Sequence, residues 1–229
     1  MIPSPNEENK ELLGLARRYL RQQIEMGFDH GYGLPLRNPA ESAEQQMEKL
    51  YQQIKNCTKC PLARTRTKFV FGEGHPQADL VFIGEAPGRQ EDLKGRPFVG
   101  PAGQLLTKML AAIDLKRSEV FIGNILKCRP PRNRDPLPDE VCCCEPHLLA
   151  QLSILQPAII CALGRIAAQT LLRTKSPLGR LRGRIHLYED IPLLATYHPA
   201  ALLRNQNLKR GAWEDLQLLR RELDRLRAT

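Results

Sequence analysis

From residue 79 onward the sequence alternates between short apolar runs and longer segments whose apolar residues recur at helical spacing. A run of five or six residues with hardly a polar side chain indicates a strand that is buried on both faces. When helices separate such strands, the strands lie parallel and the helices cover the sheet on both sides. We therefore predict an α/β fold. The predicted strands are 79–84, 120–124, 158–163 and 192–197, and the helices between and after them are 104–113, 146–155, 165–172 and 213–226.

The carboxyl ends of these strands are where we expect a ligand site. In open parallel sheets, ligands bind in the crevice beyond those ends. Here the strands are followed by a turn rich in glycine and proline, by an asparagine, by a glycine, and by a histidine next to a proline. The four sequences are Gly84–Gly88, Asn124, Leu163–Gly164 and His198–Pro199.

Two of these strand ends have more than one interpretation. The backbone N–H groups of the turn Gly84–Gly88 can face a ligand, although a plain βα connection would have the same composition. The turn is neither a dinucleotide fingerprint nor a P-loop, because it lacks the glycine spacing of both. His198 is placed to donate a hydrogen bond into the crevice, but a histidine at this position caps the following helix equally well.

The first 50 residues differ from the rest of the chain in their sequence pattern. Residues 7–26 have leucines at helical spacing and predict an amphipathic helix, and 27–39 is rich in Gly, Pro and Asn and predicts a linker. A second helix is predicted from about residue 39 to residue 54. We divide the chain into an N-terminal helical extension with its linker, residues 1–50, and a domain, residues 51–229.

The positive charge is concentrated in the predicted domain. The net charge of the chain is +9, and the first 50 residues carry −2, so the domain carries +11. A basic domain favours a polyanionic partner, most often nucleic acid, although a solvated basic face explains the same balance. No apolar run reaches the roughly 18–20 residues of a membrane span, and the N-terminus has no secretory pattern. We expect a soluble intracellular protein without a membrane partner.

The seven cysteines favour metal binding over disulfides. An odd number of cysteines in an intracellular chain of this length argues against a disulfide framework. Thiolates from a Cys-x-x-Cys pair and two distant positions can hold zinc or an iron–sulfur cluster. Structural zinc more often uses two compact pairs, so the irregular spacing favours a cluster. The cysteines are the pair Cys57 and Cys60, then Cys128, the triplet Cys142–Cys144, and Cys161 within an apolar run.

Seven motifs follow one another between residues 51 and 226. They are Cys-x-x-Cys-Pro-Leu at 57–62, Gly-Glu-Ala-Pro-Gly at 84–88 followed by Glu91 and Asp92, Gly-Arg-Pro-Phe-Val-Gly-x-Ala-Gly at 95–103, Asn-Ile-Leu-Lys-Cys-Arg-Pro-Pro at 124–131, Cys-x-Pro-x-Leu at 144–148, Ala-Leu-Gly at 162–164, and Thr-Tyr-His-Pro-Ala-Ala-Leu-Leu-Arg at 196–204. In this order they resemble the family 4 uracil-DNA glycosylases, which contain a 4Fe-4S cluster. The resemblance implies a three-layer α/β/α sandwich with a central four-stranded parallel sheet.

The resemblance also implies a substrate, uracil in single- or double-stranded DNA, and a reaction. The N-glycosidic bond of a flipped deoxyuridine is hydrolysed to free uracil and an abasic site, and the flip costs about a few kcal/mol. Phe98 would stack on the base, and His198 would donate towards O2 as negative charge develops. Asn124 would accept from N3–H and donate to O4, groups that cytosine presents in the opposite pattern.

Further site residues are implied by the same motifs. Glu85 is assigned to catalysis as the nearest carboxylate, and Ala86, Gly88 and Glu91 to the loop that contacts the substrate. Because this chain has Ala86 where other superfamily members have an aspartate that activates water, no general base is named. No lysine is placed to form a Schiff base, so we expect a monofunctional glycosylase.

The resemblance places DNA contacts after His198 and the cluster on four cysteines. Leu202 and Leu203 lie where the superfamily inserts a wedge into DNA, although packing at a helix start explains them as well, and Arg204 is assigned to phosphate. The cluster is implied to be structural, and Cys161 to be an inert core thiol. Cys144 is chosen from the triplet because it alone precedes the x-Pro-x-Leu pattern. The implied ligands are Cys57, Cys60, Cys128 and Cys144.

Two other functions are compatible with these motifs. One is a non-catalytic iron–sulfur module that binds nucleic acid or transfers electrons, and the other is a same-fold glycosylase for another deaminated base, such as hypoxanthine or xanthine. The joint presence of Phe98, Asn124 and His198 favours uracil excision. A variant of the superfamily traps its product covalently through a histidine between the third and fourth cluster cysteines, and residues 129–143 contain none. We expect a monomer in the cytoplasm, with the chromosome, that does not trap DNA.

Overall fold

The computed structural model describes residues 41–228, and at its centre lie the four strands that the sequence predicts. The predicted helix at 7–26 and the linker at 27–39 lie outside the described residues. Each predicted strand is an almost uninterrupted run of buried residues. The strands of the described part are β1 (Glu73–Gly74), β2 (Leu80–Gly84), β3 (Phe121–Asn124), β4 (Ile159–Leu163), β5 (Ile185–Tyr188) and β6 (Ile191–Thr196).

These six strands form one mixed sheet, in the order β1-β3-β2-β4-β6-β5. The four inner strands pair in parallel, whereas β1 and β5 pair antiparallel with β3 and β6 at the two edges. The prediction of a four-stranded parallel sheet is therefore wrong in the number of strands and in the direction of the edges. β1 has only two residues and β5 is largely half-exposed, so neither carries the continuous apolar run that marks a central strand.

Helices pack on both faces of the sheet. The α-helices of the described part are α1 (Ala43–Ile54), α2 (Arg89–Lys94), α3 (Pro101–Ala111), α4 (Pro138–Leu155), α5 (Arg165–Leu171), α6 (Leu178–Leu181), α7 (Pro199–Arg204) and α8 (Lys209–Arg227). Side chains alternate along each strand, so Val81 and Ile83 of β2 belong to one core cluster and Leu80 and Phe82 to the other. Helices α1, α4, α5 and α6 contribute to the first cluster, and α3, α7 and α8 to the second. No helix among residues 41–228 has the length and apolar character of a membrane span.

Helix α1 continues across residue 50, where the sequence predicts the boundary between the extension and the domain. The helix starts after Ser42, whose hydroxyl accepts the N–H of Gln45 at 3.2 Å. Its apolar face, with Met47 and Leu50, is buried in the first core cluster. This helix therefore packs with the domain, and a separate N-terminal extension remains a prediction for the residues before 41.

Helix α4 begins at Pro138, well before the start that the sequence predicts at Pro146. Pro138 stands in the first turn, where a helix needs no N–H donor, and the carboxylate of Glu140 accepts the N–H of Leu137 at 2.9 Å. Pro146 lies inside the helix, although proline more commonly marks a helix start. The cysteine triplet therefore lies on a helix and not in the loop before one.

Candidate active site

The carboxyl ends of the parallel strands open onto a cavity of about 560 Å³. A volume of this size suits a small molecule, and the sheet topology predicts this location. The residues that line the cavity come from the segments that follow β2, β3, β4 and β6. The predicted site residues among them are Glu85, Ala86, Gly88, Glu91, Phe98, Asn124, His198 and Arg204.

Gly84, the last residue of β2, leaves room for two side chains of the cavity. In the register of the sheet, Gly84 lies opposite Asn124. A Cβ atom built on Gly84 would lie 2.5 Å from Asn124 Oδ1 and 2.7 Å from Phe98 Cζ. Only a residue without a side chain leaves space for both groups. The amide of Asn124 and the ring of Phe98 therefore meet over the end of this strand.

The ring of Phe98 is placed by an uncommon backbone conformation. The φ angle of Phe98 is +50°, in the left-handed region that aromatic residues rarely adopt. The Phe98 carbonyl oxygen lies against Gly103, where a Cβ atom would come within 1.7 Å of it. The centroid of the Phe98 ring lies 5.5 Å from that of His198, and the two planes are inclined by 30°. Both rings line the same cavity.

His198 caps a helix and still has one ring nitrogen available as a donor. Its Nδ1 atom accepts the N–H of Ala200 at 3.1 Å at the start of α7, so the proton of the neutral ring is on Nε2. Burial, with a smaller effect of Arg204, lowers the pKa of His198 to about 4. The imidazole is therefore neutral at pH 7. The capping role and the donor role of this histidine are compatible.

Two glycines allow the cavity residues to approach one another. Gly164, directly after β4, has a φ of +95°, and a Cβ atom there would lie 2.8 Å from His198 Cβ. A Cβ atom on Gly88 would lie 2.8 Å from Oε2 of Glu91. Both positions are parts of the sequence motifs, but the close contact that each glycine permits becomes evident only in the structure.

Glu85 has a carboxyl group that titrates near neutral pH. Burial and the charge of Asp135 raise the pKa of Glu85 to about 7, while Arg165 opposes the shift. Arg165 and Asp135 form an ion pair, with 3.0 Å between Nη2 and Oδ2, and both line the cavity. Neither is predicted as a site residue. Arg165 directly follows the Ala-Leu-Gly motif, whereas nothing in the sequence around Asp135 marks it.

The carboxylate of Glu91 is engaged with the backbone that follows Phe98. Its Oε1 atom accepts the N–H groups of Val99 and Gly100, each at 2.9 Å. That oxygen already has two donors at the wall of the cavity. A contact of Glu91 with the substrate, as the sequence predicts, remains a prediction that involves the other oxygen.

Of the two leucines predicted to contact DNA, the structure exposes only one. Leu202 is 2% exposed and packs in the second core cluster, whereas Leu203 is 50% exposed. The burial of Leu202 contradicts its predicted role and agrees with the alternative, packing at the start of a helix. Arg204 is exposed and lines the cavity.

The four predicted cluster ligands come together from three separate segments. Cys57 and Cys60 follow α1, Cys128 follows β3, and Cys144 lies in α4. Burial raises the pKa of Cys128, and the neighbouring thiols of Cys60 and Cys57 add to the effect. Burial likewise raises the pKa of Cys144 to about 12, and Cys128 and Cys60 again add to it. Each buried thiol is therefore close enough to the other segments to interact electrostatically with their cysteines.

Nitrogen atoms lie within hydrogen-bond distance of three of these four sulfurs. Nη1 of Arg66 is 3.2 Å from Cys128 Sγ, the backbone N of Lys127 is 3.3 Å from Cys144 Sγ, and Nε2 of His147 is 3.3 Å from Cys57 Sγ. Four thiolates with N–H donors around them are the environment that a 4Fe-4S cluster takes. Within residues 41–228, no three or more His, Cys, Asp or Glu side chains are grouped so that they could hold a single metal ion.

Helix α4 separates the members of the cysteine triplet. Cys142 is exposed, Cys143 is half-buried and Cys144 is 7% exposed. Burial raises the pKa of Cys143, and Cys60 is the nearby group that contributes most after burial. Cys143 is therefore close enough to the Cys-x-x-Cys pair to be the alternative ligand. Cys161, in β4, packs in the second core cluster, away from the others.

The sequence matches known proteins over most of its length. The family model of the uracil DNA glycosylase superfamily matches residues 71–217. The chain is 46% identical to the type-4 uracil-DNA glycosylase of Archaeoglobus fulgidus over 171 residues, which are 71% of this chain and 86% of the relative. It is 43% identical to the type-4 enzyme of Thermotoga maritima over 178 residues, 76% of this chain and 93% of the relative.

The chain belongs to the uracil-DNA glycosylase superfamily. The superfamily match includes every residue that lines the cavity, since these lie between residues 85 and 204. Cys57 and Cys60 precede the match. A further relative, the type-4 uracil-DNA glycosylase of Sulfurisphaera tokodaii, is 44% identical over 183 residues, 76% of this chain and 83% of its own length.

Proposed function

We propose that the chain is a uracil-DNA glycosylase that hydrolyses the N-glycosidic bond of a flipped deoxyuridine in DNA. The products are free uracil and an abasic site. The observation that carries this proposal is the meeting of the Phe98 ring, the Asn124 amide and the neutral His198 ring in one cavity. Three type-4 relatives that are 43–46% identical to the chain bear the name of this activity.

The flipped base is recognised by a flat ring and an amide. Phe98 stacks on the face of uracil, and Asn124 accepts from N3–H and donates to O4. Cytosine offers an acceptor at N3 and a donor at N4, so it would leave both halves of a buried amide unpaired. An unpaired buried group costs about 1–3 kcal/mol, which is enough for strong discrimination when two groups are affected. Ala86 and Gly88 complete the wall beside the base.

His198 stabilises the leaving base. As the glycosidic bond lengthens, negative charge builds up on uracil and positive charge on the sugar. The Nε2–H of the neutral imidazole donates to O2 of the base, where part of that negative charge is located. The lowered pKa leaves the ring neutral at pH 7, and a neutral imidazole donates its remaining N–H to the departing base without giving up that proton.

Glu85 orients the attacking water. Burial and the charge of Asp135 raise the pKa of its carboxyl group to about 7, so a substantial fraction of Glu85 is ionised at pH 7. The ionised form accepts a hydrogen bond from water and orients the oxygen towards the sugar. Ala86, next to it, offers no carboxylate for this task. The reaction needs no covalent link to a lysine and is monofunctional.

The partner is uracil-containing DNA, single- or double-stranded. Leu203 fills the space that the flipped base leaves, and Arg204 contacts a phosphate. The action of the chain as a monomer and its location in the cytoplasm with the chromosome remain predictions.

Cys57, Cys60, Cys128 and Cys144 hold the 4Fe-4S cluster in this proposal. When bound, the cluster supplies a covalent connection between three segments that are far apart in sequence. Arg66 donates to Cys128 Sγ and offsets its negative charge, and His147 lies within hydrogen-bond distance of Cys57 Sγ. The role of the cluster is structural.

Excision from an oligonucleotide that contains one uracil tests the proposed function. Alkaline cleavage of the abasic site should give strand breaks with uracil and none with cytosine or thymine. The His198→Ala variant should lose the activity. Absence of breaks from a brown, cluster-loaded preparation would overturn the proposal in favour of a binding or redox module. Breaks only at hypoxanthine or xanthine would overturn it in favour of a glycosylase for another base.

A further inference from the structure

Phe98 needs support from its surroundings, because its backbone conformation is unfavourable for an aromatic residue. The residue before it is fixed by Arg117, whose Nη2 donates to the Pro97 carbonyl at 2.6 Å. The two residues after it, Val99 and Gly100, donate their N–H groups to one oxygen of Glu91. The Phe98 loop, residues 97–100, is therefore held before Phe98 by Arg117 and after it by Glu91, which lines the cavity.

The residue next to Glu91 makes the same kind of contact with a different loop. Oδ1 of Asp92 accepts the N–H of Thr67 at 2.8 Å and that of Lys68 at 3.4 Å. Asp92 is buried, and it is not among the described residues that line the cavity. The short helix α2 therefore carries two adjacent carboxylates that each bind two consecutive backbone N–H groups. Of these two carboxylates, only that of Glu91 contacts the Phe98 loop.

We propose that Glu91 is a positioning residue for uracil excision, whose Oε1 atom holds the Val99–Gly100 backbone and thereby keeps the Phe98 ring over the base. This inference rests on the proposed function and differs from a direct contact of Glu91 with the substrate. What the loop requires from residue 91 is a hydrogen-bond acceptor. The side-chain oxygen of glutamine meets that requirement, and the methyl group of alanine does not.

Single-turnover excision by Glu91→Ala and Glu91→Gln distinguishes the two roles. Misplacement of a stacking group by about 1 Å can cost roughly 100-fold in rate, so we expect Glu91→Ala to lose about 10- to 100-fold. Glu91→Gln should stay within about threefold of the wild type, because its amide oxygen can accept the same two bonds. If Glu91→Gln is as slow as Glu91→Ala, the charge of the carboxylate is what matters, and the proposal is overturned.

Asp92→Ala is the matched control for a general weakening of α2. It removes the neighbouring carboxylate together with two backbone contacts of the same kind. We expect it to lower the melting temperature at least as much as Glu91→Ala while changing the excision rate by less than about threefold. If Asp92→Ala and Glu91→Ala have the same melting temperature and lose the same amount of rate, Glu91 acts only through the stability of the helix, and the proposal is overturned.

Binding measurements provide a readout that does not need turnover and does not depend on Asp92→Ala folding. An oligonucleotide with 2′-fluoro-deoxyuridine, which resists hydrolysis, offers a base to Phe98, whereas one with a tetrahydrofuran abasic analogue does not. Glu91→Ala should bind the first about tenfold more weakly, as Phe98→Ala also should, and should bind the second as the wild type does. Equal weakening with both oligonucleotides would contradict a role at the stacking ring.

A double-mutant cycle completes the test. In the Phe98→Ala background, Glu91→Ala should slow excision by less than about threefold, because there is no ring left to position. If Glu91→Ala slows excision as much in the Phe98→Ala background as in the wild type, the positioning role of Glu91 is overturned, while uracil excision as the function still stands. If the wild type excises no uracil at all, the proposed function fails, and this inference with it.

Discussion

Gly84 decides whether the two base-recognition groups fit together, although it contributes no functional group. Its replacement by alanine would put a Cβ atom 2.5 Å from Asn124 Oδ1 and 2.7 Å from Phe98 Cζ. One of the two side chains must then move, and the shifts that such overpacking forces cost about 1–3 kcal/mol. We expect Gly84→Ala to reduce single-turnover uracil excision by at least about tenfold.

Gly179→Ala is the control for this substitution. A Cβ atom on Gly179 meets no heavy atom within 4 Å, so this variant should keep the wild-type rate. Both variants should be compared by excision and by thermal unfolding. Full activity of Gly84→Ala would show that the Asn124 amide and the Phe98 ring do not need to meet at this position.

The pH dependence of excision should report the ionisation of Glu85. Its pKa of about 7 is raised by burial and by Asp135, so the fraction of ionised carboxylate increases as the pH rises through 7. Asp135→Asn removes the second cause and also frees Arg165, which opposes the shift. The rising limb of kcat/KM, measured from about pH 5 to pH 9, should therefore move to lower pH in this variant.

Glu85→Gln should abolish the same limb, because it has no carboxyl group to titrate. A limb that stays at the same pH in Asp135→Asn would contradict the assignment of Glu85 as the titrating group.

Sequence alone identifies eight residues of the cavity but not their contacts. Phe98, Asn124 and His198 stand in motifs at predicted strand ends or loops, and the structure places all three in one cavity. The influence of Asp135 on Glu85 is not evident from the sequence, because it depends on the distance between two loops. The burial of Leu202 is likewise a matter of helix phase, since its equally apolar neighbour Leu203 is half-exposed.

Among the elements, helix α4 determines which cysteine of the triplet can serve as a ligand. Successive residues of an α-helix point in directions about 100° apart, so three adjacent cysteines cannot all face the same site. Cys144 lies on the buried face and Cys142 on the exposed one. We expect Cys144→Ala to lose the brown colour and the bound iron, measured by visible absorbance and by iron content.

Cys143→Ala is the matched substitution one position earlier. It should retain the colour and the iron, because Cys144 remains in place. If Cys143→Ala were bleached while Cys144→Ala stayed brown, the ligand would be Cys143, and the choice based on the x-Pro-x-Leu pattern would be wrong.

The sequence predicts those elements whose burial requires apolar residues in a continuous run or at helical spacing. The four inner strands are covered on both sides and read as apolar runs, which is why all four are confirmed. The edge strands β1 and β5 need no such run, and α2, with six residues, is too short to show helical periodicity. The start of α4 is missed because Pro146, inside the helix, resembles a start signal.

For the molecule as a whole, the proposed cluster connects segments of residues 41–228 that no disulfide joins. Residues 57–60 precede the first strand, whereas residue 128 follows β3 and residue 144 lies in α4, before β4. By analogy with cross-links between distant segments, its loss should cost on the order of 2–5 kcal/mol, or about 5–15 °C in Tm. We expect this decrease in scanning calorimetry after oxidative removal of the cluster.

Cys57→Ala provides the control for that measurement. The same oxidative treatment should leave its Tm unchanged, because it has no complete ligand set to lose. An unchanged Tm of the treated wild type, with the iron verifiably removed, would show that the protein part alone supplies the stability of the three segments.

The backbone amide of Ala200 fixes His198 as a donor that keeps its proton. In the proposed reaction, uracil therefore departs as an anion, and the hydrogen that it finally acquires originates from the attacking water. The stoichiometry of one turnover closes without a change in the charge of this histidine. His198 is thus ready for the next flipped nucleotide as soon as the products leave, with no reprotonation step to wait for.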